Sequence, residues 1–192
     1  MSRSPEATLA QGASPTPDAS RGLRSLRTLY YARFGFAAAW AALVLATAET
    51  TGPAVIALLV VYPLFDVAAA VIDFRSSGTT RAKAPLYLNM ALSLLAAIGL
   101  VVASTSGIPG VLRVWGLWAI TAGIVQLVVA ILRHRLGGQW AMILSGGLST
   151  AAGGGFILTA DSPNASLSGV AGYATLGGIF FLISAIRLHR IR

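Results

Sequence analysis

The chain alternates long apolar runs with short polar connections. Six runs lie at about 30–48, 54–74, 86–104, 111–132, 140–159 and 167–186. Each run holds about 20 residues, the length of helix that crosses the roughly 30 Å hydrocarbon core of a bilayer. The runs do not alternate with a period of two, which argues against the strands of a membrane barrel. The pattern predicts an all-α membrane protein with six transmembrane helices.

Composition strengthens this prediction. Of the 192 residues, 56% are hydrophobic and 10% are charged, whereas soluble domains carry about 25% charged residues. The absence of cysteine excludes disulfides and thiolate metal sites. The two histidines, His134 and His189, lie beside arginines at the ends of apolar runs and are interpreted as solvated flanking residues. No cofactor and no metal site are predicted.

The basic residues indicate how the chain is oriented. The net charge is +8, but the positive residues cluster at the ends of apolar runs, which is typical of contact with anionic lipid headgroups and not with nucleic acid. Thirteen of the 14 basic residues fall on one predicted side, and Arg113 is the exception. Both termini are therefore expected in the cytoplasm. The preference for Arg over Lys favours a bacterial source, and hence the inner membrane.

A repeat of about 55 residues divides the chain into hairpins. Each predicted outer loop carries one proline and each hairpin closes with an arginine: Pro53, Pro109 and Pro163, then Arg75, Arg133 and Arg187. The spacing predicts three helical hairpins at about 30–75, 86–133 and 140–187, each burying a face against its neighbour. Residues 1–28 are predicted to form a disordered, basic cytoplasmic tail, and 29–192 the six-helix transmembrane domain.

Small residues at four-residue spacing predict close helix packing. Gly147, Ala151 and Gly155 lie on one face of the fifth run, and Gly123 and Gly177 lie in the fourth and sixth. Small residues let helix backbones approach one another in lipid. The face serves either to pack helices within one chain or to form a seam between copies of a homo-oligomer.

One carboxylate lies deep in an apolar run. The segment VVYPLFDVAAAVIDF (60–74) places Asp66 about 18 Å from the outer end of its helix, within hydrocarbon. An aspartate there costs about 2.5–3.5 kcal/mol on insertion scales. Tyr62, Asn89 and Gln126 lie at similar depth, and the four residues form a candidate polar cluster. Either Asp66 is hydrogen-bonded across helices and fixes their packing, or it titrates or binds a cation in a cytoplasm-facing cavity.

The second carboxylate of this segment has a simpler interpretation. Asp73 lies at the inner interface, two residues before Arg75. Arg33, which opens the first helix, lies at the same interface. These three residues are candidates for an interfacial ion pair, although Arg33 could also extend alone towards the headgroups.

Two stretches resemble a known family. LRVWGLWAITAGIVQLVVAILRHRLGGQWAMILSGGLSTAAGGGFIL (112–158) and YATLGGIFFLISAIRLHRIR (173–192) are similar to the HdeD-type short-repeat integral membrane proteins. The resemblance implies six helices in the bacterial inner membrane and a link to acid or envelope stress, and it supplies no catalytic residues. The first hairpin departs from the pattern, because Asp66 stands where the later hairpins have Gly123 and Gly178.

No catalytic constellation is recognisable in the sequence, neither a Ser-His-Asp set nor a metal-spaced histidine cluster nor a phosphate loop. We therefore expect a non-enzymatic membrane protein, acting in membrane organisation under stress or as a scaffold for a partner. One alternative is a small transporter or proton-linked channel that uses Asp66. Another is an accessory subunit of a membrane enzyme complex. Its expected partners are the bilayer, anionic headgroups on the cytoplasmic side, and a second copy or another membrane protein.

Overall fold

The computed structural model describes residues 17–48, 52–76, 83–132 and 140–190, and these residues form helices joined by short turns. The helices are α1 (Pro17–Ala46), α2 (Pro53–Ser76), α3 (Lys83–Ala103), α4 (Gly107–Leu132), α5 (Trp140–Thr159) and α6 (Ser168–Arg190), with a 3-10 turn at Ser104–Ser106. No strand occurs within these ranges. The predicted all-α architecture is confirmed for this part of the chain.

Helices of membrane-spanning length and apolarity make up most of the described chain. Five stretches qualify: Arg24–Ala46, Pro53–Ile72, Ala84–Leu132, Trp140–Thr159 and Ser168–His189. Large apolar side chains point outwards, with Leu132 exposed to 78% and Leu158 to 85%. Contiguous apolar surface of this kind is rare on a soluble monomer and fits contact with lipid. These are the features of a multi-pass integral membrane protein.

The longest stretch, Ala84–Leu132, contains a sharp reversal. It takes in α3, the 3-10 turn and α4. Gly107 has a φ of 68°, a conformation that residues with a β-carbon rarely adopt. A β-carbon on Gly99 would lie 3.1 Å from Cγ1 of Val114. Because Gly99 precedes the turn and Val114 follows it, α3 and α4 lie side by side and antiparallel.

The helices form a ring that is weakly closed at one point. α1 packs against α2 and α6, α2 against α3, α3 against α4, and α4 against α5, whereas α5 and α6 make few contacts. The most extensive packing joins neighbouring hairpins, at α2–α3, α4–α5 and α6–α1. This is the arrangement that a repeat of three hairpins needs if each hairpin buries a face against the next.

The α4–α5 seam is built from paired glycines. A β-carbon on Gly116 would lie 2.6 Å from the carbonyl oxygen of Gly153, and one on Gly123 would lie 2.7 Å from that of Gly146. Real β-carbons do not approach this closely, so the seam requires glycine at these positions. Gly123, whose spacing predicts a role in helix packing, therefore lies in the seam of a single chain.

The face of α5 that was predicted to pack helices is not the face that meets α4. A β-carbon on Gly147 or Gly155 would meet no heavy atom within 4 Å, and the same holds for Gly177 on α6. Ala151 is exposed. The seam instead uses Gly146 and Gly153, because a shift of one residue turns the helix by about 100°. The packing of Gly147, Ala151 and Gly155 against a second copy stays a prediction.

The beginning of α1 also differs from the prediction. α1 begins at Pro17, so residues 17–28, assigned from the sequence to a disordered tail, are helical. Apolar residues recur there every three or four positions, and Leu29, directly after this segment, is buried. Arg27 donates a hydrogen bond from Nη1 to Nδ1 of His189 over 3.0 Å, which ties the early part of α1 to α6. The rest of the predicted tail, 1–16, lies outside the described residues.

An aromatic cluster fills the centre of the ring. The ring centroids of Trp40 and Trp115 lie 5.3 Å apart, and those of Trp40 and Tyr62 lie 4.6 Å apart. Trp118 packs edge-on against Trp115 at 5.4 Å. The indole Nε1 of Trp40 donates to the carbonyl oxygen of Leu58 over 2.6 Å. This cluster holds α1, α2 and α4 together at mid-depth.

Candidate functional site

Asp66 is the centre of a hydrogen-bonded network that joins three helices. Its Oδ1 accepts from Nη2 of Arg33 on α1. Its Oδ2 accepts from Nδ2 of Asn89 over 2.7 Å and from Oγ of Ser93 over 2.9 Å, both on α3. An ionised carboxylate offers about four lone-pair sites, so three donors nearly saturate it. The network supplies what a carboxylate in an apolar helix requires.

The local sequence explains how these partners converge. Asn89 and Ser93 are four residues apart, so they lie on one face of α3, one turn apart. The guanidinium carbon of Arg33 lies 4.2 Å from the ring centroid of Phe181 on α6, a cation–π contact that offsets part of the desolvation of the arginine. The side chains of Arg33 and Asp66 are only 18% and 12% exposed. The network thus connects α1, α2, α3 and α6.

The structure brings the predicted polar cluster together around one cavity. Asn89 bonds Asp66 directly, whereas Tyr62 and Gln126 make no hydrogen bond among the described residues. Tyr62, one turn before Asp66, packs in the aromatic cluster. Gln126 lines the same cavity as Asp66, from α4. The cluster therefore consists of a bonded part and a part that faces open space.

Of the three candidates for an interfacial ion pair, the structure describes a pairing for Arg33. Arg33 pairs with Asp66, because its long side chain reaches from α1 to the carboxylate in the apolar part of α2. Asp73 lies in α2, but its side chain lies outside the described residues. Arg75 is exposed in the last turn of α2. The pairing of Asp73 with Arg75 stays a prediction.

A cavity of about 850 Å³ adjoins this network and is lined by residues of all six helices. Most of the lining comes from α5 and α6, the two neighbours that make few contacts. The cavity follows α6 from Gly169 to Arg187, 18 residues or about 27 Å. Its volume lies within the range of about 300–1,000 Å³ that small-molecule sites occupy. It is therefore large enough for a bound molecule and nearly as long as a bilayer core is thick.

The cavity opens sideways between α5 and α6. Leu148 on α5 and Leu176 on α6 both line it and are also exposed at the surface, to 42% and 51%. Ala151 and Gly172 also line the cavity and are exposed at the surface. These positions lie in the middle of apolar helices, where the surrounding solvent is lipid. The gap therefore leads from the cavity to the bilayer interior.

The two ends of the cavity differ in chemistry. Arg33, Gln126 and Arg187 line the end where α1 begins and α6 ends, which we call the basic end. At the opposite end α5 and α6 meet, since the rings of Phe156 and Tyr173 lie 5.9 Å apart. Tyr173 and Ser149 also bond through their hydroxyls over 3.0 Å. The cavity thus carries charged side chains at its basic end, whereas the opposite end holds aromatic rings and two hydroxyls that bond to each other.

Comparisons of the chain with protein-family models, with curated proteins and with solved structures found no match.

Several site residues were not recognised from the sequence. Ser93 could have been found, because it lies four residues after Asn89 on the same helical face. The pairing of Arg33 with Asp66 left a weaker signal: Arg33 is the cation within the first apolar run, and Asp66 is the deepest acid. The Ser149–Tyr173 bond left no signal, because both residue types also occur singly in membrane helices.

Proposed function

We propose that this chain is a non-enzymatic protein of the bacterial inner membrane that binds a small molecule from the bilayer in the cavity between α5 and α6. The observation that carries the proposal is a cavity of ligand size, lined by all six helices and open towards lipid. Binding sites in helical bundles commonly lie between helices in this way.

We further propose six membrane crossings with both termini in the cytoplasm. The stretch Ala84–Leu132 has 49 residues and would measure about 74 Å as one straight helix, more than twice a bilayer core. Its reversal at Gly107 supports two crossings. The sequence pattern assigns 13 of the 14 basic residues to the predicted side of the termini, which favours the cytoplasm. The basic end of the cavity then faces the inner leaflet.

Polar groups in the cavity support a bound molecule. Gln126 and Ser145 line it, and neither makes a hydrogen bond among the described residues. An unsatisfied polar group in hydrocarbon costs several kcal/mol, since no water compensates it. A ligand or water in the cavity would satisfy these groups, whereas lipid outside the bundle would not.

The saturation of Asp66 favours binding over transport. A carboxylate that carries a proton or cation through a membrane must exchange partners, and Asp66 already accepts three hydrogen bonds from Arg33, Asn89 and Ser93. We therefore assign it to holding α1, α2 and α3 together. The resemblance to the HdeD-type proteins supports membership of that family, and a role in membrane organisation under stress, as parts of the same proposal.

Tryptophan fluorescence tests whether the cavity holds a molecule from the bilayer. Trp118 lines the cavity, whereas Trp140 is 80% exposed, so Trp140→Phe removes a signal that bulk lipid would quench. The protein is placed in equal parts of phosphatidylcholine and phosphatidylglycerol, both brominated on the acyl chains. Bromine quenches tryptophan at close range. The contribution of Trp118 is the difference in fluorescence between the Trp140→Phe variant and the double variant Trp140→Phe with Trp118→Phe.

A matched pair of variants makes this test specific. Gly177 lines the cavity and Gly147 does not, and a β-carbon at either position has no heavy atom within 4 Å. We expect Gly177→Leu to fill the gap and to reduce the quenching of Trp118, while Gly147→Leu leaves it unchanged. Equal quenching in both variants, with helix content retained by circular dichroism, would rule out a ligand in this cavity.

A further inference from the structure

We infer that the molecule in the cavity is an anionic phospholipid of the inner leaflet, with its headgroup at the basic end and one acyl chain in the α5–α6 gap. The inference rests on the proposed function of the cavity and adds the chemical class and direction of its ligand. It follows from the charges, the spare donors and the shape of the cavity.

The charges at the basic end favour an anion. Arg33 and Arg187 line the cavity together with Asp66. The pair of Arg33 with Asp66 is neutral overall, and Arg187 has no ion-pair partner among the described residues. The lining therefore carries a net charge of +1 in this region. Basic pockets between membrane helices on the cytoplasmic side are suited to anionic headgroups.

The hydrogen-bonding groups point the same way. Arg33 makes its one hydrogen bond to a described residue through Nη2, and an arginine carries five N–H donors. Asp66 is nearly saturated, so it has little capacity for the ammonium of a cationic ligand. The N–H donors that remain unused at this end would be satisfied by a ligand with many hydrogen-bond acceptors. A phosphate diester with neighbouring ester carbonyls has that chemistry.

The rest of the cavity fits an acyl chain. Between Arg187 and Tyr173 the cavity follows α6 for 14 residues, about 21 Å, past Leu176, Gly177 and Phe180. It passes Tyr173, which contacts Phe156 and Ser149, and ends at Gly169. This end has no charged side chain and its hydroxyls bond to each other, so it suits the end of an acyl chain, and the sideways opening at Leu148 and Leu176 admits the chain from the bilayer.

The test repeats the fluorescence measurement with one lipid brominated at a time. In mixed vesicles of phosphatidylglycerol and phosphatidylcholine, we expect brominated phosphatidylglycerol to quench Trp118 at a low mole fraction and saturably. Brominated phosphatidylcholine at the same fraction should quench it less. The mole fraction of phosphatidylglycerol that gives half of the maximal quenching reports its relative affinity.

An arginine pair provides the control. Arg187→Gln removes a charge that lines the cavity, and Arg75→Gln removes an exposed charge outside the lining at the same end of the bundle. We expect Arg187→Gln to raise the half-maximal fraction about fivefold, the effect of about 1 kcal/mol per basic residue near an anionic headgroup. Arg75→Gln should leave the half-maximal fraction within a factor of two of the parent value. Each variant loses one positive charge and with it the same general attraction to the anionic surface, so a larger effect of Arg187→Gln reports contact within the cavity.

The outcomes separate this inference from the proposed function. If both lipids quench Trp118 equally, and Gly177→Leu abolishes the quenching by both, the cavity binds lipid but does not select anions, and the inference fails alone. If neither lipid quenches Trp118 more in the parent than in Gly177→Leu, the proposed function fails as well. Equal effects of Arg187→Gln and Arg75→Gln would also overturn the assignment of the headgroup to the basic end.

Discussion

The two sides of α5 carry similar small residues and behave in opposite ways. Towards α4, Gly146 and Gly153 bring the backbones into contact. Towards α6, Ala151 lines an open gap. Small residues therefore permit close approach but do not enforce it. A helix needs a complementary partner face, and α4 provides one through Gly116 and Gly123.

The difference between the closed and open sides of the ring also concerns polar groups. Where α1, α2 and α3 pack together, the acid Asp66 lines the cavity but is matched by donors from Arg33, Asn89 and Ser93. On the open side, Gln126 and Ser145 face the cavity without a partner among the described residues. This contrast supports the proposed binding of a small molecule between α5 and α6.

The largest expected effect comes from breaking the closed side at its ion pair. Asp66→Asn leaves Arg33 without its counter-charge in a site where both side chains are less than one-fifth exposed. Removing one partner of a buried pair costs about 3 kcal/mol or more, so we expect a loss of this size in the free energy of unfolding in mixed micelles. The double variant Arg33→Gln with Asp66→Asn should recover part of the loss. A double variant less stable than Asp66→Asn would show that Arg33 contributes nothing through this carboxylate.

The next effect compares two adjacent glycines of α5. A β-carbon on Gly153 would lie 2.5 Å from the carbonyl oxygen of Gly116, whereas one on Gly154 would meet no heavy atom within 4 Å. We expect Gly153→Ala to lower the free energy of unfolding by about 1–3 kcal/mol through overpacking. Gly154→Ala should raise it by up to about 1 kcal/mol, since alanine favours a helix over glycine. Similar changes at both positions would contradict a tight α4–α5 seam.

The open side should tolerate what the closed side does not. Gly177→Leu adds a side chain where no heavy atom lies within 4 Å, so we expect its free energy of unfolding to stay within about 1 kcal/mol of the parent value. Thermal unfolding in the absence of added lipid measures this effect without the contribution of a ligand. A loss comparable to that of Gly153→Ala would mean that α5 and α6 pack closely and that the gap is not open.

The smallest effect concerns the end of the bundle opposite the basic end. Arg113 donates from Nη2 to both carboxylate oxygens of Asp161, over 2.5 and 2.6 Å, and thereby joins α4 to the turn after α5. The two side chains are 49% and 72% exposed. Exposed pairs contribute about 1 kcal/mol or less, so Arg113→Gln should change the thermal midpoint slightly and lose that effect at high salt. A large, salt-independent change would assign this pair a role in closing the ring.

The sequence predicts the membrane architecture well because that prediction rests on composition and run length. The second apolar run, placed at 54–74, corresponds closely to α2 at Pro53–Ser76. The first apolar run begins at about residue 30, whereas α1 begins at Pro17. The two differ because the first turns of α1 are basic and half polar, so they are not counted as part of an apolar run. The pairing of Asp66 with Asn89 could have been predicted, because polar residues at equal depth in neighbouring hairpins have few other partners in lipid.

The cavity and the correct face of α5 were beyond prediction for physical reasons. Five glycines between 146 and 155 provide small residues on more than one face of α5, so spacing alone cannot identify the face that meets α4. A cavity arises where two helices fail to pack, and no single residue encodes that failure. It depends on Tyr173 and Phe156 holding α5 and α6 together at one end while the rest of the gap stays open.

Native mass spectrometry tests the central claim most directly, because it counts lipids bound to each chain. The protein, the Gly177→Leu variant and the Gly147→Leu variant are released from detergent micelles that contain phosphatidylglycerol. The parent and Gly147→Leu should each retain one phosphatidylglycerol per chain under conditions that strip surface lipid, and Gly177→Leu should retain none. Equal retention by all three proteins would contradict a lipid site between α5 and α6.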